Sequence, residues 1–296
     1  MPGLEIHPLS ELREEAAALL ADRFARQRAA EPLLPEVADV GAQITDDGLV
    51  ATRAGQAVAY LTGEVRDDIA YVGIAGVAAS EPEAVRDLFA ALAPQWGVTR
   101  FMAFAPASEP ALVDAFFRLQ FGHSATQAVA EPAPLPPVDF GGTIRESVRD
   151  DVHAYAELEY MLWQMLAAPP SYSGLTSTLE EHEEESSDLH DGVGRYWPFA
   201  AELDGRIVGM TVMYDRPTGD LRVPEQSVDL AFAGTREDVR GSGVGLALTN
   251  HVFSWAHERG YRSITTDWRT TNLPASRFWP KRGFRPTYHR LYRAIP

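Results

Sequence analysis

The stretch best equipped for chemistry is Arg240-Gly241-Ser242-Gly243-Val244-Gly245. It follows an apolar run at 228–235 and opens an amphipathic stretch at 244–259. Glycines at such a join let the backbone turn so that successive N–H groups point outward. At the positive end of a helix dipole those donors suit a pyrophosphate. Arg236 and Arg240 add positive charge nearby. Neither a Walker lysine–serine pair nor the Rossmann glycine spacing is present. Asp229 interrupts the apolar run, where alternation sets it opposite Val228, Leu230 and Phe232. It reads either as a proton acceptor or as a carboxylate satisfied by a hydrogen bond or an arginine. Asp267 ends the next apolar run. A polar insertion at 169–195 carries Glu180, Glu181, Glu183, Glu184, Glu185, Asp188 and Asp191, with His182 and His190. The histidines stand eight apart and no third ligand is indicated, so no metal is expected.

These residues need elements to hold them, and the chain offers two similar sets. The segment 130–142 contains Pro132, Pro134, Pro136 and Pro137 and closes on Gly141-Gly142, which suits an extended linker. Before it, helical patterning at 9–26 leads to strands at 49–53 and 57–64, joined by Ala54-Gly55-Gln56, a hairpin signal. A strand at 69–77, a helix at 83–96, a strand at 100–105 and a helix at 110–119 follow. After the linker the order repeats. A helix at 149–166 precedes the insertion, then strands at 199–203 and 207–214 flank Asp204-Gly205-Arg206. A strand at 228–235, the glycine loop, a helix at 244–259, a strand at 263–267 and a helix at 274–281 complete the match. The expectation is a duplication: domains at 1–137 and 138–296, each of the α/β class with a mixed α+β sheet.

Composition bounds the function. The 296 residues are apolar in 45% of positions and include no cysteine, so disulfides, thiolate metal sites and cysteine nucleophiles are excluded. The first fifteen residues lack a basic segment followed by an apolar one, and no window approaches 18 apolar residues. Neither a signal peptide nor a membrane partner is expected, and the cytoplasm is the expected compartment. The net charge of −16 argues against a nucleic-acid partner. Residues 231–296, however, hold 11 Arg or Lys against 4 Asp or Glu, a balance of +7 that leaves −23 on the rest. That suggests an anionic cofactor at the C-terminal end; acidic surface that simply aids solubility explains the remainder equally well.

The glycine loop is followed by Asn272-Leu273-Pro274-Ala275-Ser276-Arg277-Phe278-Trp279-Pro280-Lys281-Arg282-Gly283-Phe284. Together the two segments resemble the signature motifs of the GCN5-related N-acetyltransferases (GNAT), R/Q-x-x-G-x-G/A and N-x-x-A…G-F. The resemblance implies two tandem acyl-CoA N-acyltransferase domains that use acetyl-CoA to acetylate an amine of a small-molecule acceptor by direct attack. It implies that Arg240, Gly241, Ser242, Gly243, Val244 and Gly245 hold the pyrophosphate. The pantetheine arm would pair with an opened strand edge at Phe232, Ala233, Gly234 and Thr235, beside Asn272 and Phe278. Asn272 serves equally as a helix N-cap. Seven residues after it the family often places a tyrosine that protonates the leaving thiolate; Trp279 stands there instead. Tyr288, Tyr292 and His289 are the chemical substitutes, each with surface or packing as its plain alternative, and Asp229 is the favoured base. The acidic insertion suggests a cationic acceptor, against the plainer reading of a solvated helix or loop. The first half lacks the loop: Ala78-Ala79-Ser80-Glu81-Pro82-Glu83 stands in its place, so cofactor binding there is expected to be lost. The rival to an enzyme is a non-catalytic acyl-CoA-binding sensor or scaffold, a reading that Trp279 motivates. Sequence is silent on oligomeric state.

Overall fold

The computed structural model describes residues 3–44, 47–173, 176–192 and 195–295. In chain order the elements are β1 (Leu4–Pro8), α1 (Arg13–Ala30), β2 (Gly48–Arg53), β3 (Gln56–Thr62), β4 (Glu64–Arg66), β5 (Ile69–Val72) and β6 (Val77–Ala79). Then come α2 (Ala84–Trp96), β7 (Arg100–Pro106), α3 (Pro110–Arg118) and β8 (Gly122–Ala130). After the linker follow β9 (Thr143–Glu146), α4 (Val152–Ala167), α5 (Leu179–His190), β10 (Tyr196–Leu203), β11 (Arg206–Tyr214) and β12 (Ser227–Thr235). The chain ends with α6 (Val244–Glu258), β13 (Ser263–Arg269), α7 (Leu273–Phe278) and β14 (Arg285–Ala294). No helix among the described residues is long and apolar enough to cross a membrane.

Two compact units result, and they are not a simple cut at the linker. Unit 1 comprises Met1–Ala128, Thr218–Pro224 and Arg285–Pro296; unit 2 comprises Val129–Pro217 and Glu225–Phe284. The last strand of the chain therefore belongs to unit 1, where β14 pairs antiparallel with β7 from Tyr288↔Pro106 to Ala294↔Arg100. Polar contacts reinforce the assignment. Arg285 grips Glu31 through two bonds of 2.6 and 2.9 Å, and Gln27 donates to the Thr287 carbonyl at 3.3 Å.

Within unit 1 the strands run β1-β2-β3-β6 in one sheet, while β4, β5, β7, β14 and β8 neighbour one another in that order. Its core contains an aromatic cluster, Phe89, Trp96, Phe101, Phe116 and Phe121, with edge-on or tilted rings 5.2–6.3 Å apart. The single strand expected at 69–77 divides in two, because β5 pairs with β7 and β6 pairs with β3, with residues 73–76 crossing between them.

Unit 2 orders its strands β13-β12-β11-β10-β9. The hairpin between β10 and β11 turns on Asp204 (φ 51°) and Gly205 (φ 75°), the two left-handed residues that a tight two-residue turn demands. Tyr155 and Leu158 of α4 pack on Ala200, Met210 and Val212 of one sheet face. Val244 and Leu248 of α6 pack on Ala201 and Val208 of the other. A bulge near Val208 turns both Val208 and Gly209 toward α6. A methyl on Gly209 would lie 2.9 Å from Val244 Cγ1 and 3.0 Å from Leu248 Cδ1. The missing side chain is therefore what lets α6 approach the sheet. The acidic insertion folds as α5, whose Thr178 and Glu181 cap one another: the Glu181 N–H donates to Thr178 Oγ1 at 3.2 Å, and the Thr178 N–H donates to Glu181 Oε2 at 2.8 Å.

Candidate active site

In unit 2 the sheet opens. Strands β12 and β13 pair in parallel only at Ser227↔Ser263, Val228↔Ile264 and Asp229↔Thr265. Thr266 Oγ1 donates to the Leu230 carbonyl at 3.0 Å, and beyond it β12 continues paired with β11 alone. A register shift leaves Ala231 without a partner between Leu230↔Met213 and Phe232↔Val212. Bulges raise local twist and bend a strand, and this one coincides with the start of the split. The backbone edge from Phe232 to Thr235 is thus exposed on the side that β13 has left.

A groove of about 540 Å³ follows that edge. Ala233, Gly234, Thr235, Arg240, Gly241, Gly243, Gly245, Asn272 and Phe278, all expected to contact the cofactor, line it. Gly241 (φ 87°) and Gly243 (φ 101°) both occupy the left-handed region, which explains the residue type at each. Gly243 is the N-cap of α6 and supplies no side-chain cap. The N–H groups of the first turn of α6 therefore have no partner within the helix, and Gly243, Gly245 and Leu246 of that turn line the groove at the positive end of the helix dipole. Ser242 and Val244 do not line it. The Ser242 hydroxyl donates to the Val239 carbonyl at 2.7 Å, and Val244 is buried under the sheet.

Charge is divided differently from expectation. Arg236 is engaged elsewhere, donating to the Ile207 carbonyl at 2.9 Å and to Glu157 at 2.6 Å. Arg240 lines the groove while bonded to Glu237 at 3.2 Å. The second groove cation is Arg282, whose guanidinium lies 4.7 Å from the Phe278 ring centre. Sequence reading passed over Arg282; its signal was the excess of arginine after position 231.

Beside the groove lies a chamber of about 600 Å³. The two share Leu162, Met210, Leu230, Ala233, Asn272, Ala275 and Trp279 as lining. Phe232 faces the chamber rather than the groove. Aromatic rings from Tyr155, Trp163, Tyr196, Trp268 and Trp279 and carboxylates from Glu159, Glu185, Asp188 and Asp267 surround the chamber. Burial pushes the Glu159 carboxyl above its ordinary range; His182 opposes this and Glu185 adds to it. Asn272 Oδ1 accepts the Ala275 N–H at 3.3 Å, so the N-cap role is filled and the side-chain amide nitrogen is the group left at the junction. Trp279 is packed edge-on against Phe278 (4.9 Å) and Phe284 (5.5 Å). Tyr155 donates to the Phe199 carbonyl at 2.5 Å, and burial raises its pKa far above normal.

The proton-transfer residues proposed from sequence are not brought to either cavity. Asp229 is 3% exposed, bound by Arg216 at 2.8 Å and by the Thr265 hydroxyl at 2.5 Å. It is the satisfied carboxylate, because it lies where β12 and β13 are still paired. Tyr288 and Tyr292 stand on β14 in unit 1. The Tyr288 hydroxyl lies 3.2 Å from Gln27 Oε1 and 3.3 Å from the Leu221 carbonyl, and burial pushes its pKa up to about 12. Tyr292 pairs with Met102. His289 lies 4.2 Å from the His123 ring, and burial with that neighbour lowers its pKa to about 4.

The equivalent loop of unit 1 is closed on itself. The N–H groups of Ser80 and Glu81 both donate to the Val58 carbonyl, at 2.8 and 3.1 Å. Those of Ala84, Val85 and Arg86 donate to Glu81, Pro82 and Glu83. No fan of open donors remains, and the Glu81 carboxylate is held by Arg53 at 2.9 Å.

Residues 159–284 match the acetyltransferase (GNAT) family. The chain carries this match over less than half of its length. It is 27% identical over 157 residues to an aminoglycoside N(6')-acetyltransferase type 1 of Stenotrophomonas maltophilia, covering 52% of this chain and 93% of that one. A GCN5-related N-acetyltransferase from Sphaerobacter thermophilus matches 98% of this chain and 95% of its own, with TM-score 0.58 and 17% identity. A GNAT-family acetyltransferase from Colwellia psychrerythraea matches 99% of this chain and 100% of its own, with TM-score 0.52 and 12% identity. Both cover the two units, so the mixed α/β fold of the whole chain is shared with these two proteins.

Proposed function

We propose that unit 2 transfers the acetyl group of acetyl-CoA to an amine of a small cationic acceptor, by direct attack with both substrates bound. The observation that carries this reading is the continuity of an anion-binding groove with an acidic, aromatic chamber across one shared wall. The residues present fit acetyl-CoA: an uncapped helix start for its pyrophosphate, two arginines for its phosphates and an exposed strand edge for its amide arm. Acetyl-CoA supplies an activated thioester. The amine nitrogen bonds to the acyl carbon, the C–S bond breaks, and the proton lost by the amine is taken up through solvent by the departing thiolate, which leaves as the thiol.

Backbone donors near Ala233 would stabilise the oxygen where charge develops. Carboxylates and aromatic faces of the chamber attract and orient an ammonium group. The aminoglycoside-modifying relative supports a polyamine-like or aminoglycoside-like acceptor. Trp279 at the junction, offering an indole in place of a phenol, favours a second reading: an acyl-CoA-binding protein without turnover. Mass spectrometry of aminoglycosides, polyamines and neutral primary amines incubated with protein and acetyl-CoA separates the two. Acetylation of the cationic set at least tenfold faster than the neutral set supports the first. Tight acetyl-CoA binding with no product from any amine supports the second.

A further inference from the structure

On the chamber wall, three side chains from two helices converge. Glu159 comes from α4, and His182 and Glu185 stand three apart on α5. His182 Nδ1 lies 3.4 Å from Glu159 Oε2 and 3.7 Å from Glu185 Oε2, and one ligand atom from each residue lies within 4.8 Å of the others. The His182 side chain is 3% exposed, and its Nδ1 makes no hydrogen bond. The other ring nitrogen, Nε2, meets Ser177 Oγ at 2.8 Å, which fixes the ring as an outer partner fixes a metal-binding imidazole. Trp163 stacks beside the ring at 6.4 Å and Tyr160 lies at 6.1 Å, sheltering it on its apolar sides. His190, the other histidine of the insertion, has both nitrogens in use, near the Ser186 carbonyl (2.6 Å) and Ser147 Oγ (2.7 Å). Glu159 was invisible in sequence as a partner of His182 because it is 23 positions away on another helix.

The separations discriminate between occupants. A proton shared between Nδ1 and a carboxylate draws the pair to about 2.7–2.9 Å, shorter than either distance here. An ammonium donor sits about 2.8–2.9 Å from each acceptor, so tetrahedral acceptors around it stand roughly 4.6 Å apart. A cation bound at about 2.0–2.2 Å to nitrogen and oxygen spaces its ligands by roughly 3.3–3.6 Å. The observed 3.4 Å falls within the third range and 3.7 Å lies just beyond it, both well short of the second. We infer that Glu159, His182 and Glu185 bind a divalent cation of the zinc class. The ion ties α5 to α4 and keeps a fourth position toward the chamber that both carboxylates line. Asp188 and Asp267 remain to meet a cationic acceptor. The site is independent of whether the protein turns over acetyl-CoA.

The test is calorimetric titration of chelator-treated protein with Zn²⁺, with thermal melting at each endpoint. One Zn²⁺ per chain and a raised melting temperature are expected. His182→Ala should abolish both. Because a buried histidine variant can fail to fold, Glu185→Gln at a 70%-exposed side chain provides the second arm and should weaken binding at least tenfold. Absence of saturable binding, or equal Zn²⁺ affinity in wild type and folded Glu185→Gln protein, overturns the site.

Discussion

Replacing Gly209 by alanine tests how the sheet positions the cofactor groove. The new Cβ would meet Val244 Cγ1 at 2.9 Å, Leu248 Cδ1 at 3.0 Å and the Gly234 carbonyl at 3.2 Å. Carbon atoms prefer about 3.5–4.0 Å, and the Gly234 oxygen is fixed in the β11–β12 ladder. The start of α6 must therefore withdraw by roughly half an ångström or more. Overpacking of this kind costs about 1–3 kcal/mol, or roughly 3–10 °C in the melting of a unit this size. The open amides of α6 would move with the helix, away from a bound pyrophosphate. Losing one charge-assisted bond costs about 1.5–3 kcal/mol, so acetyl-CoA affinity should fall roughly 10- to 100-fold. Calorimetry and thermal melting read both effects. Gly73→Ala serves as the control, since no atom lies within 4 Å of the Cβ it would add. A Gly209→Ala protein with unchanged melting temperature and acetyl-CoA affinity refutes the close-approach argument.

Gly243→Ala should act through strain rather than collision, because its φ is 101° and the nearest atom to a new Cβ is Val138 Cγ1 at 3.6 Å. A loss of about 1–3 kcal/mol is expected in chemical denaturation, with weaker acetyl-CoA binding in titration. Arg240→Glu and Arg282→Glu should each weaken acetyl-CoA binding, and the deficit should shrink as salt is raised; salt-independent losses would contradict a phosphate role. Asp151, bound by Arg145 at 2.6 and 2.9 Å, has its pKa lowered to about 2. Its lowered folded-state pKa makes its contribution of about 2 kcal/mol full above pH 4 and lost as pH falls toward 2. Asp151→Asn should therefore be destabilised at pH 7, with the deficit vanishing near pH 2 in urea titrations. Deleting residues 285–296 removes a strand between β7 and β8. Limited proteolysis should then cut unit 1, although the deletion is at the other end of the chain.

Much of this was legible because local rules governed it. The glycine loop, the Asp204-Gly205 turn and the Asn272 cap are each set by backbone demands that residue type reveals. The two similar sets of elements were legible for the same reason, since periodicity reports burial. What escaped was long-range. Nothing in the pattern of β14 says that it pairs with β7, so Tyr288 could not be placed. Asp229 looked free to act because Arg216 is thirteen positions away in a loop without periodicity. The division of the 69–77 segment into two strands depends on which neighbour each half meets, and both halves carry the same residue types.

Titration of the whole chain with acetyl-CoA by calorimetry tests the central claim most directly. The open α6 amides of unit 2 and the self-bonded loop of unit 1 predict one site per chain, abolished by Arg240→Glu combined with Gly243→Trp. Two equivalent sites, or no binding by a folded protein, would contradict it.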